Sequence, residues 1–344
     1  MTCEPSGPSR RALLVAAALL PLSACGTDDG PDSGGSSPRP SGHGSGRPDA
    51  SPDGARLASR FTALERKHGG RLGVHALATG TGATLTHRAD ERFAFCSTFK
   101  TLAAAAVLHH RPLDRLDKRV TYTAADVDSI SPVTEKHIAT GMTLRELCDA
   151  AIRYSDGTAG NLLMREIGGP AGLTAYLRRL GDSTSRMDHY EPELNDVRPK
   201  DPRDTTTPRA VAADYRALVL GDALPAAKRA LLVDWLRRNA TEVGERRIRA
   251  GLPEGAVGDK GEGKGEGKGE GKGEGKGEGE GEGWRVADKT GTGNWGRAND
   301  IAVVWPPHTD PLVLAVMTDR PDRDVPPVNA FIAEATELIV AELT

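Results

Sequence analysis

Apolar side chains recur along this chain in two rhythms, and the places where the rhythm changes divide it into elements. Leu57, Phe61 and Leu64 fall at helical spacing between Gly54 and His68. Leu72 to Ala78 and Ala83 to His87 flank Thr79-Gly80-Thr81-Gly82, a hairpin pattern. Thr101 to Leu108 is rich in Ala and Leu with no Pro or Gly, which predicts a buried helix beginning near Ser97. Leu144, Leu147, Ala150, Ala151 and Ile152 repeat the helical period, and the chain reads as mainly helical to about Ala250. Strand patterns return in Trp284 to Asp288, Asn299 to Trp305 and Leu312 to Thr318. Val328 to Leu343 then places Phe331, Ile332, Ala335, Leu338 and Ile339 on one helix face. Strands at both ends with helices between them predict one antiparallel sheet carrying the terminal helices, with a helical lobe inserted.

Three stretches carry no such rhythm. Ser9-Arg10-Arg11 precedes an apolar run, Ala12 to Leu22, that is too short for a membrane span of about 20 residues and suits an export signal. The paired arginines resemble a twin-arginine signal, and Leu22-Ser23-Ala24-Cys25 resembles a lipobox in which Cys25 would be lipidated. Residues 1–24 are therefore expected to be a signal peptide. Residues 25–54 are expected to be the lipidated cysteine and a tether, since Gly, Ser, Pro, Asp, Arg and His dominate and cannot bury a core. The third stretch repeats Lys-Gly-Glu-Gly from Lys260 to Gly283, so residues 256–283 read as a disordered insert within a catalytic domain spanning 55–344. Loop closure entropy grows only logarithmically, and even this length costs only about 1 to 2 kcal/mol.

Composition narrows the function. The 344 residues carry 45 basic against 48 acidic side chains, so no basic field calls for nucleic acid. Nine histidines are scattered without an H-x-H or H-x-x-x-H pair, leaving no zinc ligand set. Once the segment holding Cys3 is removed and Cys25 is set aside for lipid, Cys96 and Cys148 remain and are expected as free thiols.

Candidate chemistry lies in three short motifs and one loop. In Ser97-Thr98-Phe99-Lys100 the serine and lysine are three apart and share a helix face, so the amine can accept the serine proton or lower the hydroxyl pKa through its field. Ser155-Asp156-Gly157 follows the helical pattern of Leu144 to Ile152. Lys289-Thr290-Gly291 closes a strand pattern, and Glu191-Pro192-Glu193-Leu194-Asn195 sits in a polar loop between them. S-x-x-K, an S-D-N-like triplet and K-T-G, in that order, are the elements of active-site serine penicillin-recognising enzymes. From about Ala55 to Leu343 the chain resembles the class A serine β-lactamases. Phe95 to Lys100, Glu191 to Asn195, Arg203 to Pro208 and Asp288 to Gly293 are the nearest local matches.

That resemblance implies an α/β plus all-α architecture with a five-stranded antiparallel sheet, flanking terminal helices and the site between the two lobes. It implies β-lactam hydrolysis through an acyl-enzyme on Ser97, with no cofactor, no metal, small-molecule β-lactams as partners, and a monomer that meets the membrane only through Cys25. Lys100 and Glu191 are both candidate bases for acylation. Ser155 is expected to relay a proton, Glu191 and Asn195 to hold the deacylating water, and the backbone N–H groups of Ser97 and Thr292 to meet the oxyanion. Lys289, Thr290, Gly291 and Thr292 are expected to bind substrate, with Arg249 resembling an arginine that pairs with the substrate carboxylate in some members; Arg323 is the next candidate.

Several positions depart from the family pattern. Gly157 replaces an asparagine, Ala298 stands where many relatives carry a carboxylate-binding arginine, and Ile130 stands where an aromatic gate is common. His189 replaces an arginine that usually faces the aspartate matched by Asp204. Gly293 and Ala104 remove the partners that some relatives use for disulfides with cysteines matching Cys96 and Cys148. Two other readings share Ser97, Lys100, Ser155 and Lys289. One is a penicillin-binding D-alanyl-D-alanine peptidase or transpeptidase, and the other is a non-enzymatic β-lactam sensor. Both lack a deacylating glutamate, so Glu191 favours the hydrolase. Penicillins are the expected substrates, because Gly157 removes an amide that would orient the acyl side chain.

Overall fold

The computed structural model describes residues 52–127, 130–253 and 283–344. The expected signal peptide, residues 25–51 of the expected tether and nearly all of the Lys-Gly-Glu-Gly insert lie outside the described residues, while the last three tether positions instead open a helix at Pro52.

The helices are α1 (Pro52–His68), α2 (Phe99–His110), α3 (Leu144–Arg153), α4 (Gly157–Glu166), α5 (Gly169–Leu180), α6 (Pro208–Tyr215), α7 (Ala226–Arg237), α8 (Glu242–Glu245) and α9 (Asn329–Leu343). The strands are β1 (Arg71–Ala78), β2 (Thr84–His87), β3 (Phe93–Ala94), β4 (Arg119–Val120), β5 (Met142–Thr143), β6 (Thr205–Thr206), β7 (Arg285–Gly293), β8 (Arg297–Trp305) and β9 (Leu312–Asp319). Five strands form one sheet in the order β2-β1-β9-β8-β7, and each pairing is antiparallel. Thus the chain's first and last strands meet in the middle, with Val74 opposite Val316, and β7 lies at an edge.

Period-2 alternation gives the sheet two buried faces. Leu312, Leu314 and Val316 pack with Phe61 of α1 and Phe331, Ile332 and Ile339 of α9. Val313, Ala315 and Met317 face the opposite core, built largely by α2 to α7. The α1 and α9 helices run side by side, with Arg56 and Arg60 both reaching Glu342 while Lys67 reaches Glu334.

The helical side is organised around α2, whose residues Phe99 to Leu108 are all buried. Such a helix has no polar face to solvent, so its one charged residue, Lys100, must be satisfied internally. The strand pattern expected for Trp284 to Asp288 extends through the K-T-G triplet to Gly293. Residues 286–291 are buried without a break, because β7 is covered on both faces despite its edge position.

Candidate active site

Ser97 sits in a 3-10 turn, Cys96–Thr98, that leads directly into α2. Cys96 holds a left-handed φ of 46°, a conformation that for a non-glycine residue costs roughly 1 to 3 kcal/mol and concentrates at functional sites. Two strand positions must be small for the neighbouring chain to approach this turn. A Cβ on Gly291 would lie 2.9 Å from the Phe95 carbonyl oxygen, and one on Gly293 would lie 2.7 Å from the Cys96 Sγ. The strand therefore lies flush against the serine turn. Cys96 and Cys148 are free and buried, and burial pushes the Cys96 thiol up to about 11, so it is an inert neighbour rather than a nucleophile.

Lys100 Nζ donates to Ser97 Oγ at 2.9 Å and to the Ser155 carbonyl oxygen at 2.6 Å, and it lies 2.9 Å from Glu191 Oε1. Ser97 Oγ in turn reaches Glu191 Oε1 at 3.3 Å. A nucleophile, an amine and a carboxylate thus close a triangle, with Lys100 fully buried and Glu191 4% exposed. Asn161, one and a half turns into α4, fixes the carboxylate-bearing backbone: its Nδ2 donates to the Glu191 carbonyl at 3.0 Å and its Oδ1 accepts from the Glu191 N–H at 2.9 Å. The Glu191-Pro192 bond is cis. Asn195 ends a short 3-10 turn and its buried Oδ1 finds no hydrogen-bond partner among the described residues.

Asp156 caps α4 by accepting from Ala159 N–H, and it also accepts from the Val133 and Thr134 backbone and the Thr134 hydroxyl. It is a clamp for the loop before it. Ser155, at φ 57°, is thereby held with its hydroxyl 2.9 Å from Lys289 Nζ.

Alternation along β7 decides the other wall. Lys289 points to the helical side, donating to Ser155 Oγ and, at 2.9 Å, to the Thr290 carbonyl. Burial, then Lys100, holds its pKa down to about 7 against Asp288, Glu191 and Asp300. Asp288 and Thr292 project to the opposite face, where two arginines meet them. Arg249 does not join the serine or the exposed end of the strand. Its Nε and Nη2 bind Asp288 Oδ1 at 3.0 and 2.7 Å, and Asn239 Nδ2 donates to the other oxygen. Burial works against the Arg249 charge, but Asp288 outweighs it and leaves the pKa raised.

The arginine that reaches the strand end is Arg247. Fully buried, it donates Nη1 to the Gly291 and Asn299 carbonyls at 2.7 and 2.8 Å, Nε to Asn329 Oδ1 at 2.9 Å, and Nη2 to Thr292 Oγ1 at 2.7 Å. Two residues apart around buried Ile248, the two arginines serve different points of one strand face. Nothing in Arg246-Arg247-Ile248-Arg249 says which reaches which, so the expectation placed on Arg249 fails on register. Arg323 is also engaged elsewhere, at 2.6 Å from Asp196. Ala298 pairs with Thr292 and is fully buried, so β8 contributes no cation there. Ile130 is 78% exposed, and its carbonyl accepts from the Gly157 N–H.

The loop between α5 and α6 carries Glu191 and is closed at its neck by His189 Nδ1 and Asp204 Oδ2, 2.6 Å apart. Asp204 also accepts from the Asp188 and His189 backbone N–H groups. Arg186 and Arg203 pair instead with Asp188 and Asp201.

Comparison with known proteins agrees with this geometry. Residues 56–343 match the model of the beta-lactamase enzyme family. A beta-lactamase of Mycobacterium tuberculosis is 51% identical, with 98% of each chain covered. The chain belongs to the class A serine β-lactamases. Among solved structures, the beta-lactamase of Desulfarculus baarsii is 45% identical at a TM-score of 0.74, covering 85% of this chain and 98% of its own. A reconstructed last common ancestor of Gram-negative bacteria, a class A β-lactamase, is 48% identical at a TM-score of 0.71, covering 84% and 99%. The five-stranded sheet with its helical lobe is the β-lactamase fold, and the enzyme hydrolyses β-lactams. Asn161 and Arg247 are the site residues that sequence reasoning missed; neither lies in a motif, and only the fold brings them to Glu191 and Thr292.

Proposed function

We propose that Ser97 forms the acyl-enzyme and Glu191 removes it, and the observation that carries this reading is the closed triangle of Ser97 Oγ, Lys100 Nζ and Glu191 Oε1. The Ser97 oxygen attacks the lactam carbonyl as its proton passes to the Lys100 and Glu191 pair, and Ser155, bridged to Lys289, returns a proton to the leaving nitrogen. Backbone N–H groups of Ser97 and Thr292 meet the oxyanion; such a donor is worth roughly 3 to 4 kcal/mol. Glu191 and the Asn195 amide then hold the hydrolytic water. Lys289 with Thr290, and Arg247 through Thr292 in place of Arg249, receive the substrate carboxylate beside Gly291.

Penicillins are the favoured substrates, because Gly157 at the first turn of α4 offers no side-chain amide to an acyl substituent. Export by the twin-arginine-like signal, anchoring through Cys25 and a monomeric state belong to the same proposal and rest on sequence pattern. The test is Glu191→Gln with benzylpenicillin. Mass spectrometry is expected to find one penicilloyl group on Ser97 that does not turn over, while Ser97→Ala stays unmodified; near wild-type turnover by Glu191→Gln would overturn the assignment. Gly157→Asn is expected to raise the cephalosporin-to-penicillin ratio of kcat/KM several-fold, and an unmoved ratio would remove the specificity argument.

A further inference from the structure

On the helical side of the sheet, away from β7, a cavity of about 630 Å³ opens between β1, β9 and α6. That volume lies within the range of small-molecule sites, roughly 300 to 1,000 Å³. Its long wall is apolar, with Leu77 and Val313 from the strands and Ala217 and Leu220 from the chain after α6. There the helix opens into a π-helical turn, Arg216–Leu220, a form that is rare and recurs at functional sites. Small side chains leave the space, but they do not say what fills it.

Two further observations do. His75 forms part of the wall, is 8% exposed, and its Nδ1 finds no hydrogen-bond partner among the described residues. Burial, then Arg209, holds the imidazole pKa down to about 4, so a neutral polar ring is placed in apolar surroundings. Arg209 and Arg216, two helical turns apart, both line the cavity. Arg209 is answered by Asp90, with Nε 2.7 Å from Oδ1. Arg216 is exposed and has no ion pair among the described residues, so the cavity keeps one surplus positive charge beside an apolar wall.

We infer that this cavity is a binding site for a medium-chain fatty carboxylate, the alkyl chain lying along Leu77, Val313 and Leu220 and the carboxylate meeting Arg216, with His75 as a neutral polar contact. An uncharged chain would leave Arg216 unanswered, and a cationic amphiphile would be repelled by it. The site is separate from the serine: its lining includes none of Ser97, Lys100, Ser155, Glu191 and Lys289, and the serine turn lies against β7.

The test is calorimetric titration of the full chain with sodium decanoate below its micelle concentration. One saturable site per chain is expected. Arg216→Glu is expected to weaken binding by about tenfold or more, and 1-decanol and decyltrimethylammonium to bind wild type at least tenfold more weakly than decanoate. Ala217→Trp fills the cavity and abolishes binding; Ala213→Trp, at the exposed rim, does the same should the first variant fold poorly. Nitrocefin hydrolysis by folded variants is expected to stay within about twofold of wild type. Absence of saturable binding, equal affinity for the cationic amphiphile, or decanoate acting as a competitive inhibitor of nitrocefin with an affinity that none of the substitutions moves would each overturn the proposal.

Discussion

The two walls of the active site handle charge in opposite ways. On the helical wall the buried cation is matched: Lys100 lies 2.9 Å from Glu191 and is fixed by two further oxygens. On the strand wall, Lys289 and Arg247 are equally buried, yet among the described residues their hydrogen bonds run to hydroxyl, amide and carbonyl oxygens. Asp300 is near Arg247, but burial and then Asp288 push its carboxyl pKa up, which weakens its hold on the guanidinium. A matched pair exchanges protons at little cost. Unmatched cations held by neutral dipoles are costly in the empty enzyme and become favourable when an anion arrives, which is how a wall prepared for a carboxylate should look.

The largest expected effect separates Arg247 from Arg249. Arg247→Ala should raise KM for penicillins about 10- to 100-fold, the loss of a charge-assisted contact of roughly 1.5 to 3 kcal/mol. Arg249→Ala should instead lower stability, by about 3 to 5 kcal/mol, because it strands the buried Asp288 carboxylate. Steady-state kinetics with denaturant unfolding of both variants checks this. Should Arg249→Ala raise KM in a fully stable protein, the contrast between the two positions is wrong.

Lys289 supplies the next measurement. Because its pKa is depressed to about 7, its positive charge is present below that value and is lost as pH rises through it. The strand wall should therefore weaken toward alkaline pH, with kcat/KM for carboxylate-bearing substrates falling above about pH 7 while an ester lacking the carboxylate shows a flatter profile. Lys289→Arg keeps its charge and should move that limb to higher pH even at reduced activity. Identical profiles for the two substrates would assign the limb to another group.

The legibility of these walls in the sequence follows the same division. Ser97 and Lys100 are three residues apart on one element, so local geometry alone brings them together. The central strands are equally plain, since Leu312 to Met317 is a continuous apolar run covered on both faces. Glu191 carries no local signal of its own and was recognisable only through the resemblance of its loop. Arg247 and Asn161 were not legible at all, because each acts across 30 or more residues on a partner chosen by tertiary register. The error at Arg249 has the same origin: side chains two apart go to different places only once Ile248 is known to be buried between them.

The smallest expected effect concerns the helical wall's supporting loop. A guanidinium can meet a carboxylate with two N–H groups where an imidazole offers one. His189 Nδ1 and Asp204 Oδ2 lie 2.6 Å apart at the neck of the loop. With His189 partly exposed, His189→Arg should raise the melting temperature by only about 1 to 3 °C, and His189→Ala should lower it by a similar amount. Unchanged melting curves for both variants would exclude this pair as the brace.

The side-by-side terminal helices have a consequence for chain topology. Arg56 and Arg60 hold Glu342, so the N-terminal half of α1 and the last turn of α9 lie together on the sheet face opposite the helical lobe. The order in which the polypeptide is connected is therefore separable from the shape it adopts. A permuted gene that joins Thr344 to Pro52 through a short flexible linker, and opens the chain within the Lys-Gly-Glu-Gly repeat, would preserve every pairing in the sheet. One new end would lead into the strand bearing Lys289, turning the repeat into a place where a sensor domain can be grafted ahead of the catalytic wall.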